Sequence, residues 1–174
     1  LTLAASRAWQ HVLVLTAVVA GLAVMLYPAG AMWFSSIDES AAVALHAEAI
    51  ANAGTTALQD QLASAEEYNG SLTRGLLVDP FGTHTPEDAV LDADALRYLD
   101  ELSLDETGVM GNIRIPEIGV DLPIYHGATE ETLRKGVGHL YGSSLPIGGT
   151  GTHAVLTGHS GLPEAPLFTD IRHL

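Results

Sequence analysis

The chain of 174 residues is acidic, with 21 Asp and Glu against 7 Lys and Arg for a formal net charge of −14, and it contains no cysteine. That balance argues against a sequence-independent grip on nucleic acid or anionic lipid, and the missing cysteines exclude a disulfide framework. Hydrophobic residues make up 47% of the chain, enough for one modest domain, but they are unevenly spread.

The first element is an apolar run. No formally charged residue occurs between Ala8 and Ile37, and Val12 to Leu26 is almost continuously apolar, long enough for a membrane-spanning helix of roughly 20 residues. Trp9 stands near one end and Tyr27, Trp33 and Phe34 near the other, where rings settle at the two water interfaces. A cleaved secretory signal competes weakly through Ala29-Gly-Ala31, but its apolar region would be shorter. Arg7 is the only basic residue ahead of the run and all the acids follow it, which predicts an inside N-terminus and an outside remainder.

Next, Ser36 to Glu39 has the spacing of a capping box and predicts a helix start. The Ala-rich sequence with Val43, Leu45, Ile50, Leu58 and Leu62 continues the helix to about Tyr68, with a break at Gly54 to Thr56 and an end at Asn69-Gly70. Leu76 to Gly82 runs into Asp79-Pro80, which helices do not cross easily, and predicts a loop with a hydrophobic tip. Thr85-Pro86-Glu87-Asp88 predicts another helix start, with one or two short helices ending near Leu104. From Gly111 the pattern turns to strands. Ile113 and Ile115 alternate with polar neighbours, Val120 to Tyr125 follows the Gly119 turn, and Thr152 to His159 forms a later strand with His153, Val155, Thr157 and His159 on one face. Thr129 to Lys135 reads as one or two helical turns closed by Gly136, and Leu167, Phe168, Ile171 and Leu174 as one side of a final helix.

The segments Gly111 to Pro116 (GNIRIP), Leu122 to Gly127 (LPIYHG), Gly138 to Gly149 (GHLYGSSLPIGG) and Thr157 to Pro163 (TGHSGLP), followed by Leu167-Phe168, together resemble sortases, and in detail the class C, pilus-assembling branch. Tyr68-Asn69 and Asp79-Pro80-Phe81 extend the likeness upstream to the class C pre-barrel helix and its lid. The resemblance covers roughly Glu66 to the end, apart from the stretch before Met110. It implies a mainly β fold: an N-terminal membrane anchor (1–35), an extracellular helical segment with a lid loop at about 76–84 (36–109), and the first part of a closed sortase barrel (110–174). The strands bearing the family's catalytic cysteine and arginine would follow, so the chain reads as truncated ahead of them, with open strand edges that favour aggregation.

His159 matches the family's catalytic histidine. In a sortase it pairs with a cysteine thiolate that attacks the threonine carbonyl of an LPxTG-like sorting signal, and it protonates the departing amine. A pilin lysine then resolves the thioester as an isopeptide bond. The resemblance implies that Asp79 faces the catalytic arginine and Phe81 covers the cysteine until substrate displaces the lid. It implies no cofactor. The partners would be pilin or surface-protein sorting signals and a pilin lysine, at the plasma membrane of a Gram-positive-type bacterium, with no nucleic acid. His126 and His139 read as structural hydrogen-bonding residues. Two rival chemistries fare poorly: Ser160 lacks the second glycine of a nucleophile elbow because Leu162 holds that place, and His139, His153 and His159 lack familiar zinc-ligand spacing. The competing readings are a non-catalytic anchored protein that binds pilin or another sortase and, within the family, a class A or class E enzyme.

Overall fold

The computed structural model describes residues 2–72, 93–160 and 168–174. Helix α1 runs unbroken from Thr2 to Asn52, about 75 Å at 1.5 Å per residue. Its first half is apolar on every side, with Val12 to Leu26 largely exposed, and α1 is long and apolar enough to cross a membrane. Thr16 returns its hydroxyl to the carbonyl of Val12 at 2.9 Å, which leaves no hydroxyl unmatched in an apolar setting. Pro28 lies inside the helix.

The helix start predicted at Ser36 is not found. Ser36 donates to the Trp33 carbonyl at 2.9 Å and Ser35 to Glu39 Oε1 at 2.8 Å, so these side chains serve the interior of α1. Pro28 and Gly30 lie between the apolar run and the Ala-rich stretch, yet the helix carries on through both. The face that α1 turns to the domain is narrow. Ala31, Ser35, Glu39, Ala42, His46 and Ala49, spaced three or four residues apart, are covered, as is Val43, whereas Leu45 and Ile50 are exposed. His46 anchors that face through Nδ1, 3.3 Å from Asp105 Oδ2.

The break expected at Gly54 is present: Gly54 is extended at the N-cap of α2, Thr55–Ser71. A short α3, Ala93–Asp100, follows. These two helices meet through Tyr68 and Tyr98, with ring centroids 6.2 Å apart, and through a polar lattice in which Ser64 and Arg97 both reach Glu101.

The sheet has four strands in the order β1-β2-β3-β4. Strands β1 (Val109–Ile115) and β2 (Val120–His126) form the antiparallel hairpin that the alternation predicted. Gly119 closes its turn with φ 66° and an N–H bond to the Pro116 carbonyl, a left-handed conformation suited to glycine. Helix α4, Glu130–Lys135, is capped by the Thr129 hydroxyl at its start and ends at Gly136, as expected. It carries the chain to β3, Val137–His139, parallel to β2. This three-residue strand was not foreseen, because Gly136 and Gly138 interrupt any alternation. Gly138 is there for space: a Cβ would lie 2.5 Å from the Gly127 carbonyl oxygen.

Strand β4 is only Leu156–Thr157, shorter than the predicted run from Thr152 to His159. Its pairing with β3 nevertheless extends beyond the strand through Leu140 N–H to Val155 O at 2.9 Å and Ser144 N–H to His153 O at 3.0 Å. The last residues form a 3₁₀ turn, Ile171–His173, in place of the expected helix. Tyr68, Tyr98, Met110, Val120, Leu122, Ile124, Val137 and Leu145 make the core. The sheet is open, with β1 and β4 at its edges.

Candidate functional site

The site grows out of the end of β4. After Thr157 the chain passes Gly158 to His159, whose carbonyl accepts the Phe168 N–H at 3.0 Å. The two ends of the Gly161–Leu167 connection are thereby held together. The His159 side chain is 22% exposed, and its Nε2 lies 3.6 Å from Glu130 Oε1. That nitrogen is closed to solvent and has no hydrogen-bond partner among the described residues. The Glu130 contact is just too long for a hydrogen bond, and with Glu130 73% exposed the pair contributes little stability by itself.

Glu130 was not singled out from the sequence, where Thr129-Glu130-Glu131 reads simply as a capped helix start. The fold brings it to His159, 29 positions further along the chain.

The other histidines have different surroundings. His139 is fully buried. Its Nε2 lies 2.8 Å from the Ser144 carbonyl and its Nδ1 3.0 Å from the Tyr98 hydroxyl. The carbonyl fixes Nε2 as the N–H donor, which leaves Nδ1 to accept from Tyr98. The same hydroxyl lies 2.9 Å from the His139 carbonyl and accepts the Gly127 N–H at 2.9 Å. His126 stands edge-on to the Tyr98 ring with centroids 4.8 Å apart, and its Nε2 donates to the Glu101 carbonyl at 2.9 Å. Burial pushes the His126 imidazole down to about 4 and also lowers His139, because a desolvated ring resists charge. Both are structural, as read from the sequence.

Two polar side chains fix the Ser143-Ser144-Leu145 turn beside this network. Asn69 acts like a strand partner, with Oδ1 accepting the Leu145 N–H at 2.7 Å and Nδ2 donating to the Leu145 carbonyl at 3.2 Å. Ser143 donates to the Leu140 carbonyl at 2.7 Å and accepts the Val155 N–H at 3.1 Å. The Tyr68-Asn69 pair of α2 is therefore clamped to the Ser-Ser-Leu turn, which in turn holds the strand leading to His159.

The lid residues Asp79 and Phe81 lie outside the described residues. Ser160 is exposed beside His159. Among the described residues, no three His, Asp or Glu side chains are grouped so as to hold a metal ion. Clefts of about 350, 400 and 460 Å³ lie elsewhere, at the α1–α4 junction, beside α1 and α2, and under the Gly148–Thr152 loop.

The sortase domain family matches residues 113–174, the segment that runs from β1 through His159 to the last turn. The structure is similar to that of sortase C-1 from Actinomyces oris, with a TM-score of 0.61 and 43% identity, covering 68% of this chain and 63% of that one. Over this shared region the chain is similar to class C sortases. A second match, sortase C-1 from Streptococcus pneumoniae, has a TM-score of 0.62 and 36% identity, over 76% of this chain and 64% of its own. The curated Sortase A of Bacillus anthracis is 32% identical over 84 residues, 48% of this chain and 39% of that protein. The chain thus spans less than two thirds of each of these relatives. Sortases are cysteine transpeptidases, and none of these 174 residues is a cysteine.

Proposed function

We propose that this chain is part of a class C sortase and contributes the proton-carrying half of a pilus-assembling transpeptidase. His159 is the acid/base that protonates the amine leaving an LPxTG-like sorting signal. A pilin lysine then takes the acyl group as an isopeptide. The observation that carries this reading is the state of His159: a desolvated Nε2 without a hydrogen-bond partner among the described residues, in the segment that matches the sortase domain. Asp79 and Phe81 form the lid on this reading, and α1 anchors the chain with its domain outside the cell.

The nucleophile and the arginine of the reaction are not contributed by His159 or its described neighbours, and a thiolate must be supplied for turnover. These 174 residues alone are therefore inactive, and cleavage of a fluorogenic LPxTG peptide by them alone would refute that statement. In the protein expressed from its whole reading frame, His159→Ala lowers sorting-peptide cleavage about 10²- to 10⁴-fold, the usual contribution of a positioned acid/base. Unchanged cleavage in that variant would overturn the assignment. The absence of cysteine supports one competing reading, a non-catalytic anchored protein that binds pilin or another sortase. A whole reading frame that yields no thiol-dependent cleavage but retains pilin would decide for it.

A further inference from the structure

The domain meets α1 at a definite height, and two of its few cations lie there. A cleft at this junction is lined by Ala31, Ser35, Asp38 and Glu39 of α1 and by Tyr125, Arg134 and Lys135 of the domain. Trp33 and Phe34 stand at the same level of α1. Both are more than 60% exposed, and their rings form an edge-on pair with centroids 5.1 Å apart. Exposed Trp and Phe at the end of an apolar helix mark the water interface of a bilayer. The 24 helical steps from Trp9 to Trp33 span about 36 Å, which brackets a hydrocarbon core of roughly 30 Å and ends within the headgroup layer.

Arg134 and Lys135 therefore stand at headgroup height. They close α4, Glu130–Lys135, and both side chains are exposed. Lys135 pairs with Glu131 at 2.5 Å, whereas Arg134 has no ion-pair partner among the described residues. The acids of the cleft, Asp38 and Glu39, lie one turn of α1 further from the bilayer than Ser35. Net charge alone argued against binding to anionic lipid; the fold places two of the six basic residues that follow the apolar run where lipid phosphates are, with the acids of α1 behind them.

We propose that the Arg134–Lys135 end of α4 docks on phospholipid headgroups and holds the domain down against the membrane from which α1 emerges. This rests on the anchor reading of α1. Guanidinium and ammonium groups suit phosphodiester oxygens, and anionic lipid adds attraction for each cation near the surface.

Because the chain has no cysteine, single introduced cysteines carry a fluorophore uniquely. The chain is reconstituted into nanodiscs of phosphatidylcholine, with or without an equal share of phosphatidylglycerol, and labelled at Leu22→Cys, Glu131→Cys or Thr150→Cys. Expected is quenching of the Leu22 label by an acyl-chain quencher. A headgroup quencher should quench the Glu131 label but not the Thr150 label. Phosphatidylglycerol should strengthen the Glu131 signal. Arg134→Glu with Lys135→Glu should release it, with the docked population falling roughly fivefold per reversed residue, while Arg134→Lys with Lys135→Arg retains it. If Leu22 is quenched but Glu131 behaves like Thr150, docking is wrong and the anchor stands. If Leu22 is not quenched, both fall. A Glu131 signal that ignores both phosphatidylglycerol and charge reversal overturns recognition of phosphate.

Discussion

Two histidine environments lie a few residues apart along the same sheet and are built to opposite ends. Around His139, every polar atom has a partner: Ser144 and Tyr98 take the ring nitrogens, and Tyr98 also holds Gly127. Around His159, Nε2 is equally dry but has no hydrogen bond, only a solvated carboxylate 3.6 Å away. A satisfied buried network rigidifies and specifies a structure, whereas an unsatisfied group costs stability and has to be justified by use. The difference separates a histidine held by the fold from the one to which the proposal above assigns the chemistry.

The sharpest way to break this comparison is to delete each ring. His139→Ala removes the imidazole from the Ser144 carbonyl and from the Tyr98 hydroxyl, which keeps its backbone partners, and opens a cavity, a loss of about 2–4 kcal/mol in urea unfolding. His159→Ala should move stability by no more than about 0.5 kcal/mol. Equal costs would erase the distinction.

Acid sharpens it next. The His126 imidazole sits at about 4 in the fold against an ordinary 6.5. Between those values the unfolded chain binds a proton that the native ring refuses, so the His126 contribution is complete above about pH 6.5 and is lost as pH falls towards 4. The lost stability is about 3 kcal/mol at most, and His139, also lowered by burial, acts in the same direction. Midpoints of urea unfolding followed from pH 7 to pH 4 should fall accordingly, and His126→Phe should flatten the dependence. A profile unchanged by that substitution would show that His126 is not its source.

Smaller effects test the frame around the two rings. Gly138→Ala forces a methyl to within 2.5 Å of the Gly127 carbonyl and should cost about 1–3 kcal/mol. Asn69→Ala leaves the Leu145 N–H without its partner, while the Leu145 carbonyl keeps the Ile147 N–H, and should cost about 1–2 kcal/mol. If the clamp matters to His159 as well, the Asn69 variant also broadens the His159 ring resonances in NMR spectra, and unperturbed resonances would confine its role to stability.

Much of this was legible because it is local. The β1–β2 hairpin follows from the alternation of Ile113 and Ile115 and from Gly119, and α4 from Thr129 and Gly136. The break at Gly54 was equally plain. What escaped the sequence is long-range. Glu130 looks like a helix-start acid until the sheet brings β4 beside α4, and Asn69 looks like a helix terminator until Leu145 arrives to bond it. The capping-box reading of Ser36 failed because the motif describes a helix end, and the helix does not end there.

The continuity of α1 has a kinetic consequence. A flexible tether would let the domain sample a wide volume around its attachment point, but a helix unbroken from Thr2 to Asn52 and packed on the sheet allows little more than rotation about its own axis and lateral drift. In the anchored orientation proposed above, encounters with substrates held in the same membrane become a search in two dimensions, with the His159 face presented at one constant distance from the lipid.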